Sequence, residues 1–216
     1  MPKKCKRLWQ SEETAEFIGI MLGDGNVFSC ENEKANVHQV RIATGRKDEE
    51  EYAHETVIPL LRRVSGIEPR ILMKKNVVYS CINSRKFVEE LGRIGFRKGN
   101  KIRNEARMPD WVFSKDEYLR ACIRGLVDTD GSVYRLSNQD PHLGRISFKN
   151  FNPLLMEDFQ KAMKKLGFHP SKVVHRNVFL TRKADLVKYY KEIGSNNPYK
   201  RARLALFIAP SSSGQG

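Results

Sequence analysis

Two rhythms of apolar residues run along the chain. In "VRIATG" (Val40–Gly45) and "GRISFK" (Gly144–Lys149), apolar residues take every second place: Val40 and Ile42 alternate with Gln39 and Arg41, and Ile146 and Phe148 with Arg145, Ser147 and Lys149. A period of two predicts strands, here Val37–Thr44 and Arg145–Lys149, each with one buried and one polar face. Helical patterning appears in two kinds of segment. "FIGIMLGDG" (Phe17–Gly25) and "IRGLVDTDG" (Ile123–Gly131) are apolar helices ending in Asp-Gly. More charged helices are expected at Asp48–Ser65, where Pro59 should kink the chain, and at Pro153–Leu166. Ser11, and Ser114 with Glu117 at the capping-box spacing, are expected to start the apolar helices. Hairpins turning at Lys74–Asn76 and His175–Asn177 and a short closing helix complete the pattern.

The same order of elements occurs twice. Asp24 in the first apolar helix returns as Asp130 in the second, 106 residues later. "VRIATG" echoes "GRISFK" with Arg41-Ile42 set against Arg145-Ile146, "SGIEP" ending at Pro69 matches "LGFHP" ending at Pro170, and "FVEELGRIG" (Phe87–Gly95) matches "LVKYYKEIG" (Leu186–Gly194). The offset drifts only from 106 to 99, so length changes fall in loops. The expected fold class is α+β, two αββαββα repeats: residues 11–102, a linker at 103–114, residues 115–206, and a disordered tail at 207–216.

A shared stripe of small residues says how the repeats meet. Ala15, Gly19 and Gly23 fall four apart, and 106 residues on stand Ala121, Gly125 and Thr129. Glycine inside a helix costs about 0.5–1 kcal/mol relative to alanine, a cost that close helix packing can offset. Packing through these stripes sets Asp24 and Asp130 side by side at the negative helix ends, with Gly25 and Gly131 expected as left-handed caps. Two carboxylates beside unpaired carbonyls disfavour an anion and suit a hard divalent cation. Asp128, whose counterpart is Leu22, is read instead as a local hydrogen-bond acceptor.

Composition narrows the partner. Lys and Arg number 39 against 25 Asp and Glu, a net charge of +14 with pI near 9.7. That balance points to a polyanion such as nucleic acid, although a basic solvated surface gives the same count. Cys5, Cys30, Cys81 and Cys122 form no C-x-x-C pair, so reduced thiols are expected and neither zinc nor thiol chemistry is implied. No run reaches the roughly 18–20 apolar residues of a membrane span and the first residues lack a signal-peptide pattern, so a cytoplasmic protein is expected.

With these residues in view, the chain resembles the LAGLIDADG homing endonucleases of the single-chain, two-repeat kind. "IRGLVDTDG" matches the signature closely, "FIGIMLGDG" departs from it at Leu22 and Gly23, and the resemblance spans roughly Ser11 to Leu206. It implies signature helices packed between repeats and two antiparallel sheets forming a saddle over double-stranded DNA. It further implies a staggered double-strand break made by Mg²⁺- or Mn²⁺-dependent phosphodiester hydrolysis, with Asp24 and Asp130 as metal-holding catalytic acids and the carbonyls of Gly23 and Thr129 as further ligands. The family places a lysine near each scissile phosphate; the 99-residue offset pairs Lys101 with Lys200 as candidates, and Lys47 and Lys149 are runners-up.

For DNA contact, Gln39 and Arg41 share one strand face and Arg145, Ser147 and Lys149 another, a disposition suited to the major groove. Arg70, Lys74, Lys172, Arg176 and Arg182 extend the footprint from the second hairpins. Divergence between the repeats predicts an asymmetric target cut by a monomer with no obligate protein partner. Two alternatives keep the fold: an intron RNA maturase, and a catalytically inactive DNA-binding protein.

Overall fold

The computed structural model describes residues 5–32, 35–137, 139 and 143–208, the side chains of residues 32, 35 and 46–48 excepted. The first repeat opens with α1 (Glu12–Gly23), started by Ser11, whose Oγ accepts the Thr14 amide at 3.2 Å. Strands β1 (Gly25–Asn32) and β2 (Ala35–Gly45) follow, then α2 (Arg46–Tyr52) and α3 (Ile58–Ser65), β3 (Arg70–Lys74), β4 (Val77–Asn83) and α4 (Arg85–Arg93). The strands form one antiparallel sheet in the order β1-β2-β4-β3. Pro59 does not break the charged helix. Residues Ala53–Val57 form a π turn in which the Ile58 amide reaches back to the Ala53 carbonyl, so the helix widens just before the residue that lacks an amide hydrogen.

The second repeat runs α5 (Asp116–Asp130), β5 (Gly131–Arg135), β6 (Gly144–Lys149), α6 (Pro153–Lys165), β7 (Asn177–Leu180), α7 (Lys183–Glu192) and α8 (Pro198–Ile208). It departs from expectation at three places. Ser114 does not cap α5: it closes the short 3-10 turn Asp110–Ser114 and donates to the Trp111 carbonyl, leaving Lys115 at the cap with no side-chain bond. The second hairpin contributes only β7, giving the sheet β5-β6-β7. Pro170 has no amide hydrogen, and the Ser171 hydroxyl accepts the Phe179 amide at 3.0 Å where a ladder would use a backbone carbonyl. The tight turn survives, with His175 and Arg176 at φ 47° and 63° and Val174 bridged to Asn177. Finally, α8 is an extra helix that runs through Phe207 and Ile208, where a tail was expected; residues 209–216 lie outside the described residues.

Strand register also corrects the alignment of the repeats. Gly25 stands opposite Ile42, and Gly131 opposite Phe148. The 106-residue shift of the helices therefore continues through β2 and β6: Gln39 corresponds to Arg145, and Arg41 to Ser147.

Helices α1 and α5 lie back to back at the centre, and the stripe explains how closely. A Cβ on Gly19 would stand 2.1 Å from the Cys122 carbonyl oxygen, one on Gly125 would stand 2.4 Å from that of Glu16, and one on Gly23 would meet the Thr129 side chain. Apolar side chains of both sheets, among them Val40, Ile42, Ile146 and Phe148, close over this pair with Phe17, Leu61, Phe87 and Phe159. No disulfide links Cys5, Cys30, Cys81 and Cys122. Among the described residues, no helix is long and apolar enough to cross a membrane.

Candidate active site

Both helices end at the same level, facing the sheets. Asp24 follows α1 as its C-cap and Asp130 is the last residue of α5. The Asp130 carboxyl carbon lies 3.5 Å from where a Cβ on Gly23 would stand, so the ends of the two helices share one space. The glycines after the acids are not left-handed caps. Gly131 has φ −85° and ψ 158°, and Gly25 has no positive φ. They are needed because the chain doubles back sharply from helix to strand: a Cβ on Gly25 would stand 2.5 Å from Met21 Cα, and one on Gly131 would stand 2.4 Å from the Val127 carbonyl oxygen.

Burial raises the Asp24 pKa to about 7, helped by the negative charges of Asp130 and Glu49 and opposed by Lys101 and Lys200. Asp130 is also raised by burial, but the Asn150 amide donates to it at 2.6 Å and counters the shift. The two acids are thus chemically unequal. Each has a lysine. Lys101 Nζ donates to the carbonyls of Met21, Leu22 and Gly23 at the end of α1. Lys200 Nζ donates to Val127, Asp128 and Thr129 at the end of α5, at 3.0, 2.7 and 3.0 Å. Burial lowers both lysine pKa values while the neighbouring acids oppose it. Three donors meet three helix-end carbonyls each time, answering the acceptors a helix terminus leaves unpaired.

The carbonyls of Gly23 and Thr129, expected from the resemblance to be metal ligands, each accept from one of these ammonium groups. Among the described residues, no three or more His, Cys, Asp or Glu side chains cluster to hold a metal. The donors that fit a divalent ion are the two carboxylates, whose crowding such an ion would relieve. A hard cation such as Mg²⁺ commonly uses one or two carboxylates together with water and substrate phosphate oxygens. Beside them opens a cleft of about 440 Å³ lined by Gly23, Lys101, Asp130, Lys149, Asn150 and Phe151.

Lys200 belongs to a buried polar network that the first repeat lacks. Asn197 accepts the Lys200 amide, so it caps α8 just before Pro198, and its own amide reaches Glu49 and the Asp128 carbonyl. Glu49 lies 3.7 Å from Lys200 Nζ. The Asp128 carboxylate accepts from the Ser195 hydroxyl and the Asn196 amide, which bears out its reading as a local acceptor. Burial nonetheless raises it to about 6. Sequence reasoning missed Glu49, Asn150, Ser195 and Asn197. Only Asn197 carried a signal, as an Asn-Pro pair at a helix start.

The sheets' outer faces hold most of the remaining candidates. By register, Gln39, Arg41, Arg70, Lys74 and Tyr79 share one face of the first sheet, and Arg145, Ser147, Lys149 and Phe179 one face of the second. Among the described strand residues on these faces none is Asp or Glu. Gln39 donates to Asn83 at 2.9 Å, and Ser147 is only 7% exposed, beneath its neighbours. Arg176 sits in the turn before β7 with its guanidinium over Phe151. Lys172 and Arg182 are exposed but outside the strands, at the approach to β7 and the start of α7. Lys47 falls in α2, and its side chain lies outside the described residues.

A packed pair of helices ending in acids between two antiparallel sheets is the architecture of the LAGLIDADG fold. The family described as the LAGLIDADG-like domain matches residues 117–194, within the second repeat. The whole chain is similar in structure to the homing endonuclease I-DmoI in complex with DNA and Ca: TM-score 0.63, 18% identity, over 90% of this chain and 96% of that one. Meganuclease I-SmaMI bound to uncleavable DNA (TM-score 0.55, 11% identity) aligns with 86% of each chain. The N-terminal LAGLIDADG domain of DUF199/WhiA (TM-score 0.55, 12% identity) covers 88% of this chain and 86% of that one. Other structures of I-DmoI with DNA contain Mn or Mg. No curated protein sequence matches the chain. The second repeat thus matches the LAGLIDADG-like domain, and the chain has the fold of the two-repeat LAGLIDADG structures.

Proposed function

We propose that the protein is a site-specific DNA endonuclease that cuts both strands of a long, asymmetric target by divalent-metal-dependent hydrolysis, acting as a monomer in the manner of an intron-homing enzyme. One observation carries this reading: two acids and two lysines, one of each per repeat, meet at the helix ends beside strand faces that bear cations and no acid. A bound divalent ion would polarise the scissile phosphate and lower the pKa of water. Asp24 and Asp130 would hold it, one acid for each strand to be cut.

Asn150 orients Asp130 and favours its ionised form against the effect of burial. Lys101 and Lys200 place positive charge where the phosphate gains negative charge, and by gripping the helix ends they fix the two acids relative to one another. Arg41, Arg70, Lys74, Arg145 and Lys149 supply phosphate and base contacts across the two sheets. Both repeats keep the acid, which favours a nuclease over a binding-only protein.

The test is incubation with DNA spanning an intron-less insertion site, with Mg²⁺ or with EDTA. Breakage of both strands is expected only with Mg²⁺. Asp24→Asn and Asp130→Asn should each abolish cutting while leaving DNA binding largely intact. Full cutting in EDTA or by either variant overturns the reading.

A further inference from the structure

Both sheets carry an arginine whose guanidinium stands over an aromatic ring. The Arg41 guanidinium lies 4.9 Å from the centre of the Tyr79 ring, and that of Arg145 lies 4.7 Å from the Phe179 ring. The register is the same each time, although the Tyr79 ring also has Lys74 Nζ 5.8 Å from its centre. Tyr79 stands opposite Ala43 and Phe179 opposite Ser147, so each ring is displaced two residues along the strand from the arginine that covers it. Neither guanidinium forms a hydrogen bond to another described residue; Arg145 Nε is buried and has no partner.

The two devices are nevertheless not equivalent in position. Arg41 adjoins Ile42, the residue opposite Gly25, whereas Arg145 is three residues before Phe148, the residue opposite Gly131. Gly25 and Gly131 directly follow the paired acids. The second device therefore sits one same-face step, two residues, farther from the acids than the first. Two strand residues span about 6.8 Å. Along B-DNA that is about two base pairs at 3.4 Å each.

A guanidinium held over a ring has given up part of its rotamer freedom before binding and still presents its terminal N–H groups. That geometry suits bidentate pairing with guanine O6 and N7 in the major groove.

We infer that Arg41 and Arg145 each read a guanine, that Tyr79 and Phe179 are the positioning residues that hold them ready, and that the guanine read by Arg145 lies about two base pairs farther from the centre of the target than the one read by Arg41. This rests on the DNA-target reading above. It makes the target's asymmetry a consequence of strand register, beyond differences in side-chain identity.

The experiment selects bound duplexes from a randomised library with the full chain, then measures binding to every single-base variant of a selected duplex. Arg41→Ala and Arg145→Ala should each flatten guanine discrimination about tenfold at one position, the two positions lying in opposite half-sites at distances from the centre differing by about two. Tyr79→Leu and Phe179→Leu, which keep apolar bulk but remove the ring, should weaken discrimination at those same positions and nowhere else. Tyr79→Phe and Phe179→Tyr, which keep the ring, should retain it and guard against a folding artefact. Arginine-dependent positions at equal distances, or unchanged discrimination in the leucine variants, overturn the inference while the DNA-target reading stands. A library that yields no preferred sequence overturns both.

Discussion

Lys200 holds at Val127, Asp128 and Thr129 the same three carbonyls that Lys101 holds at Met21, Leu22 and Gly23, 106 residues earlier in the chain. Their settings differ. Lys200 stands on α8 and is tied to Asn197 and Glu49, whereas Lys101 projects from a run of turns. Replacing either by methionine leaves buried carbonyls unanswered and removes positive charge beside the acids. Lys200→Met should cost about 1–3 kcal/mol in urea unfolding, and Lys101→Met less, because it is less buried. Each should slow DNA cutting by roughly 10²-fold with binding retained. Equal stability losses would mean that the Lys200 network does not brace the site.

Asp24 supplies the prediction for pH. Its folded pKa of about 7 lies above the ordinary value of 3.8. The folded state thus holds a proton that the unfolded chain has lost. Stability should fall as pH rises from about 4 to 7 and level off above. Full conversion of a three-unit shift would be about 4 kcal/mol. Lysine screening and partial solvent access reduce this, so Asp24→Asn should stabilise the metal-free protein by about 1–3 kcal/mol at pH 8 and by almost nothing at pH 4. Millimolar Mg²⁺ should raise the melting midpoint of the wild type at pH 8 more than that of the variant. Thermal melts at the two pH values decide it; an unchanged midpoint at pH 8 would show that the acids are not crowded.

What could be foreseen was what the chain says twice. The small-residue stripes, the two acids and the two lysines each have a partner in the other repeat, and duplication separated them from chance. Strand register escaped because the alternation of apolar residues has period two. Shifts of 104 and 106 both keep Ile42 facing inward, and only backbone pairing chose between them. The role of Gly25 and Gly131 escaped because glycine serves equally for a left-handed turn and for close approach. Glu49, Asn150 and Ser195 had no echo elsewhere, and the loss of one strand before β7 depended on a serine hydroxyl standing in for a backbone carbonyl.

Asp128 tests the asymmetric network. Its counterpart is Leu22, so the first repeat manages without it. In the second, its carboxylate answers the Ser195 hydroxyl and the Asn196 amide in the loop leading to α8. Asp128→Ala takes the carboxylate acceptor from both donors, leaving Ser195 only its longer bond to the Asn197 carbonyl, and should cost about 2–4 kcal/mol. Asp128→Asn keeps one acceptor oxygen and should recover part of that loss. Faster amide exchange should accompany the alanine change in α8 and leave α4 unaffected; uniform protection in α8 would count against the network.

The helix contact itself offers the sharpest contrast. Glycine to alanine inside a helix ordinarily stabilises by about 0.5–1 kcal/mol. Gly92 in α4 has nothing within 4 Å of where a Cβ would stand, so Gly92→Ala should show that gain. Gly19 and Gly125 are also helical, but there an added methyl meets the backbone of the other repeat at 2.1 and 2.4 Å. Carbonyls fixed in a helix cannot yield as a flexible side chain would, so α1 and α5 must separate along their length. Gly19→Ala and Gly125→Ala should each cost about 3 kcal/mol or more. Because that separation also moves Asp24 away from Asp130, cutting should fall further than stability alone explains. Activity assayed well below the melting midpoint isolates this loss; a variant that stays folded and cuts at the wild-type rate would show that the spacing of the two acids does not set catalysis.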